Sequence, residues 1–529
     1  MAAPSSTPAD LSAALVLTPP PLADWLVVLP VALMIALGAA LMMIRKSVRW
    51  HGPIAISGLV LLVLLDLGLL WRVSVHGPVT MVMGRWLPPF GIAFTADLLG
   101  AAMALAAAVA ALAAGIFALA DIDAGGRRYG FFPFLMLLMA GVSGAFLTGD
   151  IFNLYVWFEV LLISSFGLII LGSEPEQIDG ALKYAILNLV GTTLFLIAIG
   201  YLYAVFGTLN MADIARKAVG LRDTAPLVTL TALFVLAFAM KAAAFPVNFW
   251  LPASYHTPRI VVSALFGGLL TKVGIYALIR VAIMLFPVER EALSLVIAVS
   301  AALTMMAGAL GALAQDDIRR LVGYLVIAGI GNMLAGVAIG TPAAVSGAIL
   351  YALHSMATMT ALYFVAGEAA RLGGGSWSLA ALGGIYRRAP WFSAASFLLF
   401  LAAAGLPPLS GLWPKVALLK ASLDIGAWWL GAAILVSAFL VTVSLARVFL
   451  LAYWRPQPGL TGAGADGSAA AGGWRMSLPL GLLTALVVFF GLMPEPLLDL
   501  TQRAATGLAD PAAYVQSVFP TSAQKGGVP

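Results

Sequence analysis

The chain has 529 residues, 62% of them hydrophobic and only 10% charged, with a mean hydropathy of +1.03. That balance lies far outside the range of water-soluble domains and is that of an integral membrane protein. A formal charge of +5 is small for this length and does not suggest nucleic acid, and the lack of cysteine excludes disulfides, thiolate-held iron–sulfur clusters and Cys-ligated zinc. No cofactor or metal site is expected.

In chain order, residues 1–24 are Pro-rich, lack a basic n-region and read as a lead-in, not a cleaved signal. Apolar runs long enough to cross a bilayer then recur to the far end, and predict about fourteen helices. Their spans are 25–44, 53–73, 94–120, 130–149, 151–171, 181–207, 226–251, 260–286, 292–314, 318–340, 342–370, 390–422, 427–453 and 474–497. The ten-residue alternation of a porin-like barrel is missing, so the expected fold is all-α. Residues 208–225 contain a short amphipathic piece, and 455–473 form a Gly/Ala-rich linker. Loops after the odd-numbered helices carry Arg45, Arg127, Arg128, Arg259, Arg319, Arg320, Arg387 and Arg388 among others. The opposite side is poorer in Lys and Arg, although the Arg216–Arg222 cluster is an exception. The asymmetry predicts that the basic loops are cytoplasmic and both termini external, on the periplasmic side of a bacterial inner membrane.

Two spans carry helix breakers at depth. Helix 7 runs through Phe245-Pro246-Val247-Asn248-Phe249-Trp250-Leu251-Pro252, and helix 12 through Gly405-Leu406-Pro407-Pro408-Leu409-Ser410-Gly411. Proline removes a backbone donor and clashes with the carbonyl four residues earlier, so both ladders should be interrupted. Each break lies in the fourth helix of a five-helix set, helices 4–8 and 9–13. Five being odd, the second set is expected to be inverted relative to the first, an arrangement that points to a midplane ion site. The chain then divides into helices 1–3 (25–129), a first repeat (130–290), a second repeat (291–454) and a last helix with its tail (474–529).

Ionisable groups sit inside the apolar runs. Lys241 and Lys272 each lie in a long apolar stretch, as does Glu159 in LYVWFEVLLISS, and Lys415 follows the second break. A charge at bilayer depth costs at least about 2.5–3.5 kcal/mol on insertion scales and normally marks an ion path. His354 lies on a helix with Tyr351, Ser355 and Thr358 at i, i+4 and i+7, a polar stripe that could pass a proton. Lys183, His256, Asp66, Asp97 and Glu368 are accessory candidates; the three carboxylates could touch neighbouring subunits or cations. Asp150 opens a helix and is expected to be an N-cap. Gly329-Ile330-Gly331-Asn332 lies in an apolar helix with no preceding strand, so it reads as small-residue helix packing, not a nucleotide loop.

Over roughly residues 90–450 the chain resembles the antiporter-like membrane subunits shared by respiratory complex I, membrane-bound hydrogenases and Mrp-type (Mnh, Pha) cation/proton antiporters. The landmarks are GDIFNLYVWFE ending at Glu159, Lys183-Tyr184, Lys241-Ala242-Ala243-Ala244-Phe245-Pro246, Trp250-Leu251-Pro252, the helix of Lys272-Val273-Gly274, Gln315-Asp316-Asp317-Ile318-Arg319-Arg320, His354-Ser355 and Gly405-Leu406-Pro407-Pro408-Leu409-Ser410-Gly411. Within the family, GDIFNLYVWFEVLLISS, LNLVGTTLF, GTLNMADIA and a lysine at 415 are similar to the D-type member of Mrp antiporters. Departures are the Tyr255–Ile260 loop, with Arg259 at its centre, and Leu325–Gly331, which lacks the family's hydroxyl and amide groups.

The resemblance implies fourteen helices with two inverted five-helix repeats and broken helices 7 and 12. It implies a proton relay in which Glu159 and Lys241 form the carboxylate–lysine pair of the uptake half. Lys272 is then the central lysine, His354 the relay histidine and Lys415 the terminal lysine. Implied partners are the other Mrp-type subunits, of types A, B, C, E, F and G, with protons and Na⁺ or K⁺ as the ions carried; the chain itself is a transporter subunit, not an enzyme. The alternative is a proton-pumping membrane subunit of an NADH:quinone, ferredoxin- or hydrogenase-type complex. A third reading is a scaffold subunit with vestigial lysines.

Overall fold

The computed structural model describes residues 15–16, 19–457 and 473–519; most of the lead-in and residues 458–472 of the linker lie outside the described residues. The chain is mostly helical. Apolar helices α1 to α6 run over Leu29–Met43, Val48–His76, Leu98–Asp121, Phe131–Leu147, Ile151–Ile169 and Pro175–Phe206. A surface helix α7 (Met211–Leu221) fulfils the amphipathic expectation, and α8 (Leu227–Ala242) is followed by the short α9 (Trp250–Ser254). Then come α10 (Ile260–Leu285), α11 (Ser294–Ala314), α12 (Ile318–Ile339), α13 (Pro342–Leu372), α14 (Pro390–Ala404), α15 (Leu412–Asp424), α16 (Trp428–Trp454) and α17 (Trp474–Leu492). Two further helices, α18 (Glu495–Ala509) and α19 (Ala512–Val518), complete the described chain. Ten of the helices are long and apolar enough to cross a membrane, and α1, α4, α8 and α14 are shorter apolar helices.

Sequence reading missed a small hairpin. The predicted span from residue 94 begins with strand β2 (Ala93–Ala96), which pairs antiparallel with β1 (Val79–Val82). Thr95 and Phe94 satisfy strand preference locally, and helix α3 starts only where Asp97 caps it by accepting the Gly100 N–H at 2.9 Å. Asp150 caps α5 in the same way, accepting from the Asn153 N–H at 2.8 Å.

Burial separates inner from outer helices. All of the most apolar window of α10 is buried, and 94% of those of α12 and α13, against 33% for α2, α16 and α17. The helices of Lys272 and His354 are therefore the centre of the bundle. Small residues allow that crowding. A Cβ added to Gly308 on α11 would meet the Ala328 backbone nitrogen of α12 at 2.2 Å, and one on Gly331 would meet the Met305 nitrogen at 2.6 Å. The Gly329–Gly331 segment is thus a close-packing surface, as its composition suggested.

Both predicted breaks are present and share one backbone pattern. Helix α8 ends at Ala243 in the left-handed region (φ 61°), with the Ala244 N–H donating to Ala239 O at 2.9 Å. Helix α14 ends at Gly405 (φ 82°), with the Leu406 N–H donating to Leu401 O at 3.0 Å. Backbone freed at the first break is met from α11, where Thr304 Oγ1 accepts the Phe245 N–H (2.9 Å) and Ser300 Oγ donates to Phe245 O (2.7 Å). Satisfaction by protein groups is what permits non-helical backbone at membrane depth.

Gly308→Ala tests the packing argument. Helix propensity favours the change by about 0.5–1 kcal/mol, but the backbone clash costs about 1–3 kcal/mol. The variant should therefore melt several degrees lower in a detergent thermal-shift assay. Gly200→Ala on α6, with nothing within 4 Å of the added Cβ, should not.

Candidate functional site

Four of the five proposed relay groups are buried and follow one another across the inner helices. Lys241, Lys272, His354 and Lys415 are 7%, 0%, 6% and 8% exposed. Lys241 stands in the last turn of α8, where its Nζ donates to Asn188 Oδ1 of α6 at 3.4 Å and lies 5.8 Å from the Phe158 ring centre. The Asn188 amide is oriented by its own Nδ2, which donates to Tyr184 O at 2.9 Å. Helix α10 presses directly on this end of α8, since a Cβ on Gly274 would lie 3.2 Å from the Lys241 carbonyl carbon.

Lys272 has no carboxylate in its own helix and uses backbone instead. Residues Phe266–Leu270 form a π-helical turn, and Lys272 Nζ donates to Gly267 O at 2.5 Å. A π turn breaks the regular i→i+4 ladder, which leaves carbonyls open to a side-chain donor. One turn away, α10 meets α13 without room for a side chain: a Cβ on Gly268 would lie 3.3 Å from Met356 O.

Two residues before Met356 is His354. Its Nδ1 is 2.8 Å from Ser410 Oγ in the second break and 3.3 Å from Thr358 Oγ1. Of the polar stripe seen in the sequence, Thr358 touches the imidazole, Tyr351 packs edge-on at 6.0 Å between ring centres, and Ser355 makes no hydrogen bond to described residues. Beyond the break, Lys415 Nζ donates to Ala404 O (2.6 Å) and Ala403 O (3.3 Å), the last carbonyls of α14. These carry the negative end of the half-helix dipole, a natural seat for an ammonium.

Glu159 differs. It is half-buried on the α5 face of Phe152, Val156 and Ile163, all exposed. No ion pair within 4.0 Å joins it to Lys241 among the described residues, although its charge acts on that lysine. The carboxylate–lysine pair is thus open, and Asn188 holds the ammonium in its place.

The accessory candidates fall in separate places. Lys183 is on the surface of α6, paired with Asp179 at 2.5 Å. With His256, Asp317 and Arg320 it lines a polar cavity of about 560 Å³ on the side of the basic loops. His256 donates from Nδ1 to Pro252 O at 2.9 Å, leaving Nε2 to accept from Arg320 Nη2 at 3.0 Å. Burial, with Arg320 and Arg319 alongside, holds this imidazole below its usual pKa and so neutral. At the same cavity burial opposes ionisation of Asp317, but hydrogen bonds and charge from Arg319 outweigh it and keep the carboxyl below its usual range. Asp317 therefore contributes stability above its ordinary pKa of about 4, lost only as pH falls through the lowered value. Glu368 is buried and pairs bidentately with Arg371 at 2.6 and 2.8 Å. Asp66 is fully buried, and neither carboxylate oxygen has a hydrogen-bond partner among the described residues. Pro246, Pro407 and Pro408 lie in the breaks, whereas Pro252 lies in the short helix α9 just after the first.

Asp97 is tied to Arg280, which sequence reading passed over. The fully buried guanidinium donates from Nη1 to Asp97 Oδ2 at 2.6 Å and from Nη2 to Oδ1, while its Nε donates to Tyr276 Oη at 3.0 Å. Tyr276 Oη in turn donates to Phe146 O at 2.7 Å. This knot joins the end of α10 to the start of α3 and the end of α4. Arg280 stands alone in YALIRVAIML, the same signal as the lysines. Asn188 and Ser410 were also missed; an amide four residues after Tyr184 and four before Thr192 was the available hint for the first.

The sequence model of the family described as NADH:quinone oxidoreductase/Mrp antiporter, transmembrane, matches residues 148–441. The chain is 36% identical over 494 residues to the D-type subunit of a Na⁺/H⁺ antiporter of Alkalihalophilus pseudofirmus, covering 93% of this chain and 99% of that one. It is 37% identical over 456 residues to the D-type subunit of a Na⁺/H⁺ antiporter of Bacillus subtilis, covering 85% of this chain and 90% of the relative. A chain in the structure of an Mrp complex from a Dietzia species superposes with a TM-score of 0.87 at 28% identity, over 94% of this chain and 99% of that chain.

Removing one partner of the Arg280–Asp97 pair leaves a buried charge and costs about 3–5 kcal/mol, whereas removing both does not. Asp97→Ala should therefore sharply lower the melting temperature and yield of the detergent-extracted complex. The Asp97→Leu/Arg280→Met double variant should recover most of both.

Proposed function

The chain belongs to the NADH:quinone oxidoreductase/Mrp antiporter family, and from that premise we propose that it is the proton-translocating subunit of a multisubunit Na⁺(K⁺)/H⁺ antiporter. The observation that carries this is the succession of buried basic groups, Lys241, Lys272, His354 and Lys415, each seated on a neutral oxygen or hydroxyl and none on a carboxylate. A tightly ion-paired ammonium would hold its proton; one resting on an amide or carbonyl oxygen can give it up to a neighbour or a water chain. Glu159 is the loading group. Its approach to Lys241, in place of Asn188, favours the charged amine, and its withdrawal releases the proton towards Lys272. His354 then hands it between its two faces to Lys415.

The finer architecture follows from the same reading. The spans number fourteen, with inverted repeats over 130–290 and 291–454, and the matched Ala243 and Gly405 breaks support that pairing. The basic loops face the cytoplasm, so the polar cavity lined by His256, Lys183 and Arg320 opens on that side, and both termini are outside. Partners of the Mrp types A, B, C, E, F and G complete the complex and the cation path.

Everted vesicles from an antiporter-deficient host expressing the whole operon test the proposal. Na⁺ or K⁺ should dequench a ΔpH dye, and Lys272→Ala or Lys241→Ala should reduce that signal about a hundredfold or more while the complex still purifies intact. Normal transport in both variants would refute the relay. Absence of a cation response, with acidification on adding a redox donor, would move the chain to the oxidoreductase branch of its family.

A further inference from the structure

A cavity of about 420 Å³ lies beside His354, and its walls are almost wholly apolar. Val63 and Leu67 of α2, Ala106 of α3, Val487 of α17 and Leu497 of α18 line it; the polar side chains at its wall are His354 and Ser410, which hydrogen-bond each other. Leu67, 52% exposed, and Pro496, also exposed, stand at its mouth, so it is continuous with the apolar outer surface of the bundle.

Water is a poor occupant. It needs two to four polar partners, and engineered apolar cavities of about 150 Å³ stay dry and take up apolar ligands instead. An empty space of this size would forfeit the dispersion contacts of its whole lining. In a chain that spans a bilayer, the apolar matter at hand is hydrocarbon. We propose that an acyl chain of the surrounding phospholipid fills this cavity and seals His354 from it. The occupancy stands on the cavity alone; its consequence rests on the relay reading above. A dry filling at this wall leaves Ser410 and the second break as the way onward for a proton on His354, and denies it a leak along α2.

The test uses the purified complex in vesicles of phosphatidylethanolamine and phosphatidylglycerol, a tenth of the latter carrying a mid-chain diazirine. Irradiation should attach lipid to peptides from α17, α18 and the Leu353–Ala357 turn. Ala106→Phe, which fills the space, should lower that labelling several-fold while labelling of the exposed face of α16 stays constant; Ala106→Leu serves where the larger side chain impairs assembly. Absence of labelled cavity peptides, labelling unchanged in both variants, or a partner subunit cross-linked at this mouth would each overturn lipid occupancy. None of these readouts depends on transport, so failure of the relay would leave them unmoved.

Discussion

An ammonium at bilayer depth must rest on an oxygen, and the rest of this fold is arranged around supplying one without supplying a countercharge. Three different devices do it. Lys241 uses a side-chain amide from the neighbouring helix. Lys272 uses a carbonyl within a π turn of its own helix. Lys415 reaches back across a break to the terminal carbonyls of α14. Each oxygen offsets part of the desolvation penalty, and on the proposed reading the lack of a bound carboxylate among the described residues is what leaves the proton transferable. The helix irregularities supply two of these oxygens, because a regular helix has few free carbonyls away from its ends.

The contrast with Arg280 and Glu368 makes the point. Both are buried and both are locked in bidentate guanidinium–carboxylate pairs, Arg280 with Asp97 and Glu368 with Arg371. Such forks are geometrically matched partners joined by two charge-assisted hydrogen bonds each. The first ties α10 to α3 and the second lies within α13, whereas Lys241 reaches α6 through a neutral amide and His354 reaches the second break through a hydroxyl. The guanidinium–carboxylate pairs stand at helix ends, while glycines at 268 and 274 keep α10 pressed on α13 and α8.

Much of this was legible from residue types alone. A lysine inside VLAFAMKAAAFP or LLTKVGIYAL announces itself by cost, and paired proline-rich interruptions announce broken helices. What remained hidden depends on which faces meet. Ser410 looks like an ordinary loop serine until the second break folds it onto His354. Asn188 reads as one polar residue in a long helix until α8 brings Lys241 beside it. The hairpin at 79–96 is short, and apolar patterning next to a long helix conceals two four-residue strands. The open Glu159–Lys241 pair was also invisible, because the family resemblance pairs the two groups without showing that one of them lies on a partly exposed face.

Lys241→Cys in the assembled complex, followed by 2-aminoethyl methanethiosulfonate, decides whether an amine at position 241 carries the proton, since this chain has no cysteine of its own. The cysteine variant should be inactive, and the aminoethyl reagent, with modification verified by intact mass, should restore cation-dependent proton movement whereas the uncharged ethyl analogue should not. Full transport by the unmodified cysteine variant, or equal recovery with the ethyl reagent, would show that position 241 fills space and carries no proton.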